Sequence, residues 1–350
     1  MKSVLEDVMS QQRIQRWVNA PNHQLAIGLV NHSGRMVWTR ENGSENDGSK
    51  SIYEIGSITK TLTGLLLAIG EHNGKWHRSD LISDYVPEWF ASPFAQQTTL
   101  LHLVTHTAGL PDVPGNFKST ITDRLNPYAN YTENHLIEAV LGENRRTKNK
   151  FHYSNYGFGL LGWVLSKRLG QSLNDALRER IFKPLEMINS GIGLKSQPSN
   201  RILPVFNSKG KPVPHWDFLD TMAGAGAVCS TVSDMLNYIE AHLSLSDHPL
   251  TSALTECRKA HHAIFPGKGI GIGYGWMFFK EKDGSTTYWH NGATYGSGSF
   301  ATFNRDKGTG LIILSNYGLN ILSQLPLIGM RKMNVDKLAY VLANKLFKEV

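Results

Sequence analysis

The chain has 350 residues, 41 % hydrophobic and 19 % charged, with a formal net charge of +7. That is ample for a sizeable core, and no stretch reaches the roughly 18 to 20 apolar residues of a membrane helix. Two cysteines, Cys229 and Cys257, make no disulfide framework, and the basic charge comes with no nucleic-acid-binding motif.

The first residues lack the apolar core of a secretory signal, so the chain as given reads as cytoplasmic, or as periplasmic or extracellular if a leader was removed. Leu25, Ile27 and Leu29 alternate within 24–31, and 36–40 follows across Ser33-Gly34, which predicts a hairpin. Gly56 then introduces Ser57-Ile58-Thr59-Lys60, followed by Leu62, Leu65, Leu66, Leu67 and Ile69. That pattern predicts a buried helix from Ser57 to about Asn73. Residues three apart share a helix face, so Ser57 Oγ and Lys60 Nζ can meet. A serine hydroxyl needs a nearby base to become a nucleophile, and a lysine desolvated on such a helix loses its preference for the charged form. The competing reading is a capped helix whose lysine snorkels to solvent. A second Ser-x-x-Lys, Ser208 to Lys211, lies among Gly210, Pro212 and Pro214 and reads as a loop.

Residues 76–261 read as mainly helical, with loops rich in Pro, Asn and Gly. His102 and His106 are four apart, as in a zinc helix, but the glutamate of His-Glu-x-x-His is missing, so they read as structural or surface histidines. The basic run Arg145, Arg146, Lys148 and Lys150 reads as a solvated loop rather than an electropositive rim. Tyr153-Ser154-Asn155 then precedes a helix rich in small residues. A phenol beside a lysine ammonium ionises more easily and can relay a proton, and an asparagine amide can hold a substrate carbonyl. Strands are expected at 275–280, 286–290, 299–304 and 310–315, with His290-Asn291-Gly292 at the end of the second. A glycine there lets a substrate backbone approach closely. Tyr128-Ala129-Asn130 and His72-Asn73-Gly74 repeat two of these triplets, the first in a loop and the second at a helix C-terminus. Residues 311–330 read as a strand, loop and helix, and 336–348 as a helix that packs on the sheet.

The expected fold is α/β (α+β): N- and C-terminal strands share one antiparallel sheet flanked by helices, with a mainly helical region inserted. One catalytic domain spans 1–350, its sheet part formed by 1–75 plus 262–350 and its helical part by 76–261. No phosphate loop, dinucleotide fingerprint or internal repeat is present in the sequence, and no cofactor or metal is expected.

In order and spacing, Ser57 to Lys60, Tyr153 to Asn155 and His290 to Gly292 resemble the motifs of the serine β-lactamase and penicillin-binding-protein-like hydrolases. The resemblance is to the branch of class C β-lactamases, D-Ala-D-Ala carboxypeptidases, D-aminopeptidases and esterases. Residues 100–111, 181–185 and 223–235 agree with it, and it runs from about residue 24 to about residue 316. It implies a β-lactamase/transpeptidase-like fold and an acyl-enzyme on Ser57, with Lys60 and Tyr153 moving the proton. It also implies an oxyanion site at the N–H groups of Ser57 and Ala293, with Asn155 on the acyl amide and His290 and Gly292 positioning substrate. The third element departs from Lys-Thr-Gly: histidine is mostly neutral where lysine is a cation, and Asn291 lacks the hydroxyl that usually contacts a substrate carboxylate. An esterase or D-peptidase fits this better than a β-lactamase. A β-lactamase, an acyltransferase and a slowly deacylating penicillin-binding sensor stay open as alternatives. The partner expected is a small-molecule or peptide ester or amide, with no nucleic acid and no membrane span.

Overall fold

A computed structural model describes residues 1–41, 44–45, 48–144, 149–194, 197–243, 248–318 and 333–348. Among the described residues nine strands make the main sheet: β1 (Gln24–Asn31), β2 (Gly34–Glu41), β3 (Ser44–Glu45), β4 (His262–Phe265), β5 (Ile270–Ile272), β6 (Met277–Lys280), β7 (Thr286–Ala293), β8 (Gly298–Asn304) and β9 (Thr309–Ser315). Their order is β3-β2-β1-β9-β8-β7-β6-β5-β4, and every neighbouring pair is antiparallel. The chain's first hairpin therefore closes onto its last strand, with Ile27 opposite Ile313.

The two-residue period of β1 separates two apolar layers. Leu25, Ile27 and Leu29 face the helices Lys2–Met9, Gln12–Val18 and Val335–Leu346. Ala26 and Val30 face the larger core on the other side, across which the helix Val232–Leu243 runs. A strand buried on both faces reads as an almost continuous apolar run, as β1 and β9 do.

The helix Thr59–His72 is buried from Thr59 to Gly70 and packs against the helices Asp220–Gly226, Asn155–Leu169 and Thr251–Arg258. It begins later than its apolar pattern suggests: Ser57 belongs to a 3-10 turn, Gly56–Ile58, that leads into it. The expected hairpin is present, and β6, β8 and β9 lie within two residues of their expected starts. β7 runs on through the third element to Ala293 instead of stopping at His290. β4 and β5 were not foreseen, because strands of three or four residues carry little alternation. Ser208 and Lys211 sit in the exposed turn between Val205–Phe206 and Pro212–Val213. His72 and Asn73 close the Thr59–His72 helix. Residues 145–148 of the basic run, and the loop and helix expected after 318, lie outside the described residues. Both cysteines are free and buried. Among the described residues no helix is long and apolar enough to cross a membrane.

Candidate active site

The three sequence elements converge at one end of β7. Gly56, just before Ser57, has φ +50°, the left-handed region that favours glycine. A Cβ added there would come within 2.6 Å of the Ala293 nitrogen. A Cβ on Gly292 would come within 2.1 Å of Ile55 O and 2.9 Å of Ser57 N. Only two glycines facing each other let the serine turn and the β7 edge approach this closely. Ser299 on β8 adds a hydrogen bond to Ile55 O at 2.8 Å. The Ser57 and Ala293 N–H groups are thereby set side by side, and the first N–H groups of a helical turn have no partner within the turn. Gly292→Ala is expected to force this contact open and lower stability by about 1–3 kcal/mol, the usual cost of overpacking. A urea denaturation midpoint equal to that of the parent would contradict it.

Lys60 is fully buried, and burial lowers its pKa to about 7, opposed by the negative charge of Asp112. Its Nζ lies 2.7 Å from Asn155 Oδ1, 2.7 Å from Ala225 O and 3.0 Å from Ser57 Oγ. A neutral amine has two hydrogens and one lone pair. The two carbonyl oxygens accept the hydrogens, so the lone pair is left for the Ser57 hydroxyl. The Asn155 amide cannot turn freely, because its Nδ2 donates to Asp112 Oδ1 at 2.8 Å, which fixes its oxygen toward Lys60. The second acceptor, Ala225 O, lies in the last turn of the helix Asp220–Gly226, where carbonyls lack a partner within the helix.

Ser154 caps the helix Asn155–Leu169, its Oγ accepting from Gly157 N–H at 2.9 Å, and this sets Tyr153 and Asn155 on either side of the cap. The Tyr153 hydroxyl lies close enough to Ser57 to feel it, and its ring lies 4.9 Å from Lys60 Nζ. Easier ionisation of this phenol was expected from the neighbouring lysine, but burial instead raises its pKa, outweighing the Ser57 hydroxyl that lowers it. With the lysine pulled down to about 7 and the tyrosine pushed up, Lys60 gives up its proton near neutral pH and above, while Tyr153 keeps its own. His106 supports the tyrosine from behind, with ring centroids 4.5 Å apart and Nδ1 accepting from Ser154 N–H at 3.1 Å. It adopts φ +59°, uncommon outside glycine. His102 instead accepts from Thr99 N–H as part of a helix cap, and no group of three metal-ligating side chains gathers among the described residues.

On β7, His290 is buried and its Nδ1–H donates to Asn291 O at 2.6 Å. Burial, then the charge of Lys60, lower its pKa to about 3, so it is neutral. Its ring lies 6.3 Å from that of Tyr153. Asn291 Nδ2 donates to both oxygens of Asp336, at 3.4 and 3.3 Å. The open cleft above Ser57 has a volume of about 1080 Å³, and Tyr128, Trp216, Phe218 and Tyr295 contribute aromatic walls. Glu54 anchors one of those walls and a neighbouring lining residue, accepting from Trp216 N–H at 2.7 Å and from Thr294 Oγ1 at 2.8 Å.

All seven candidate residues, Ser57, Lys60, Tyr153, Asn155, His290, Gly292 and Ala293, thus lie together, and all but the buried Lys60 and His290 line the cleft. Asp112 and Asp336 are additions that no short motif marked, and His106, weighed in the sequence only against a zinc helix, is a third. Tyr128, set aside in the sequence as a chance triplet, is a cleft wall stacked on Phe218.

Residues 26–321 match the protein family described as Beta-lactamase. The chain is 24 % identical over 319 residues to penicillin-binding protein 4 of Amycolatopsis lactamdurans, covering 87 % of this chain and 80 % of that protein. It is 32 % identical over 200 residues to a β-lactamase of Escherichia coli (strain K12), covering 57 % of this chain and 49 % of the relative. Its fold superposes on a β-lactamase/D-alanine carboxypeptidase from Pseudomonas syringae with a TM-score of 0.78, at 18 % identity and 98 % coverage of both chains. With the match spanning most of its length, the chain belongs to the serine β-lactamase and penicillin-binding-protein-like hydrolase family.

Proposed function

We propose that the chain hydrolyses an ester or amide through an acyl-enzyme on Ser57, as an esterase or a D-peptidase of the carboxypeptidase type. The observation that supports this most is the coordination of Lys60, whose two hydrogens have acceptors in Asn155 and Ala225 while Ser57 Oγ lies 3.0 Å away. Lys60 takes the Ser57 proton as Oγ bonds to the substrate carbonyl carbon. The oxyanion that forms is held by the N–H groups of Ser57 and Ala293. Collapse breaks the bond to the leaving group, which takes a proton from Tyr153, and Lys60 returns one to the phenol. Water then attacks the acyl-enzyme by the reverse path. Asn155 has one Nδ2 hydrogen committed to Asp112, which leaves the other for an acyl carbonyl.

The third element disfavours β-lactams. Neither neutral His290 nor Asn291, whose amide donates to Asp336, supplies a cation for a carboxylate. Short-chain p-nitrophenyl esters are therefore expected to exceed nitrocefin in kcat/KM. A nitrocefin value above about 10⁶ M⁻¹s⁻¹, in the range of efficient enzymes, would make β-lactam hydrolysis the better reading, in keeping with the names of several relatives. Transfer of the acyl group to an alcohol uses the same residues, and the transester product formed on adding an alcohol acceptor measures it. An acyl-enzyme that persists for hours by intact mass would mark a slowly deacylating sensor.

A further inference from the structure

We infer that the cleft selects substrates with a positively charged leaving group and turns away those with a free carboxylate, and that Asp336 sets this preference; the inference rests on the acyl-enzyme reading above. Asn155 and Asp112 lie on the helical side of Ser57, where the acyl group is assigned. Asn291 and Asp336 lie on the β7 side, which leaves that side for the leaving group. A carboxylate therefore stands on the wall where the family resemblance places a contact to a substrate carboxylate.

Asp336 stands in the first turn of the helix Val335–Leu346, and an acid in a first turn has an ordinary role in offsetting the helix dipole. That role requires neither a place on the cleft wall nor a partner on β7. Burial raises the Asp336 pKa to about 6, opposed by the Asn291 hydrogen bond, so the group is still ionised at neutral pH. Its long contacts to one neutral amide compensate a desolvated charge poorly, and a cation would complete it. A substrate carboxylate would instead meet a like charge. The opposite wall has the same sign: Asp112 lines the cleft too, and among the described lining residues the one lysine is the exposed Lys118. The aromatic surfaces of Trp216 and Tyr295 suit an ammonium with an apolar body.

The test uses three acetate esters of matched shape: 3-(trimethylammonio)phenyl acetate, 3-tert-butylphenyl acetate and 3-acetoxybenzoate. The common acetyl group holds the acyl side constant, and each kcat/KM is divided by the ester's rate of hydroxide hydrolysis to remove leaving-group reactivity. The cationic ester is expected to exceed the isosteric neutral one by about tenfold, and the anionic ester to be slowest. Asp336→Asn should bring the cation-to-neutral ratio to within about threefold, whereas Glu6→Gln, the same charge change on an exposed N-terminal residue, should leave the ratio as it was. Equal normalised rates for the three esters, in a protein that a fluorophosphonate labels at Ser57, would overturn this inference alone. A preference that survives Asp336→Asn would overturn the assignment to Asp336. Failure of all three esters together with absent labelling would overturn the acyl-enzyme reading itself, and the inference with it.

Discussion

Ser57→Ala is expected to abolish covalent labelling by a fluorophosphonate and to lower ester kcat/KM by at least about 10⁴-fold, since no other group can take over the bond to carbon. Ser57 is the hydroxyl beside both a buried lysine and the Tyr153 phenol, with the Ala293 backbone N–H packed against its turn. The variant should fold, because the close contact at this turn comes from Gly56 and Gly292 and not from the serine side chain. Lys60 would keep its bonds to Asn155 and Ala225. Ser208→Ala is the matched comparison. Ser208 has a lysine at the same spacing, but both are exposed in a hairpin turn built on Asn207, whose Oδ1 accepts from Lys209 and Lys211 N–H. Nothing there desolvates the lysine. Intact-mass analysis after labelling decides the matter: equal adduct on Ser57→Ala and on the parent would end the nucleophile assignment.

The contrast between these two serines also shows what was legible in the sequence. The Ser57 copy was readable because Leu62, Leu65, Leu66 and Leu67 surround its lysine with apolar side chains, and the observed burial follows from that pattern. The antiparallel sheet was readable from the alternation of Leu25, Ile27 and Leu29 in β1 and from the short apolar runs of β8 and β9 with a turn between them. Asp112 was not readable, because it reaches Asn155 from 43 positions away in a loop that no period marks. Asp336 was likewise taken only as the start of a helix; its contact with Asn291 spans 45 positions. His106 drew notice as a possible metal ligand, and its place against Tyr153 depends on a left-handed backbone that the sequence does not announce. The direction of the tyrosine shift failed for a related reason. A neighbouring lysine raises phenol acidity only while it is charged, and the burial that pulls Lys60 down to about 7 also pushes Tyr153 up.

Tyr153→Phe is expected to cost about 10²- to 10⁴-fold in kcat/KM, the usual range for losing a positioned proton donor, and Lys60→Ala at least as much. Phenylalanine keeps the ring on His106 and beside Lys60, so only the hydroxyl is tested. The proper control is Tyr340→Phe, an exposed tyrosine on the C-terminal helix. Tyr128 will not serve, since it lines the cleft. The pH dependence identifies the base. Lys60 has a lowered pKa of about 7, so below that pH it carries a third hydrogen and has no lone pair for Ser57. Log kcat/KM should therefore rise with pH through about 7 and level off above it. Tyr153, shifted in the opposite direction, should add no step within the same limb. The ionisation belongs to the coupled Ser57, Lys60 and Tyr153 group, so the measured value is macroscopic. Asp112 supplies an internal check on sign. Its charge raises the Lys60 pKa, so Asp112→Asn should move the limb to lower pH while a carbonyl oxygen remains to hold Asn155. A limb that stays fixed in Asp112→Asn, or near-normal turnover in Tyr153→Phe matching Tyr340→Phe, would show that the proton takes another route.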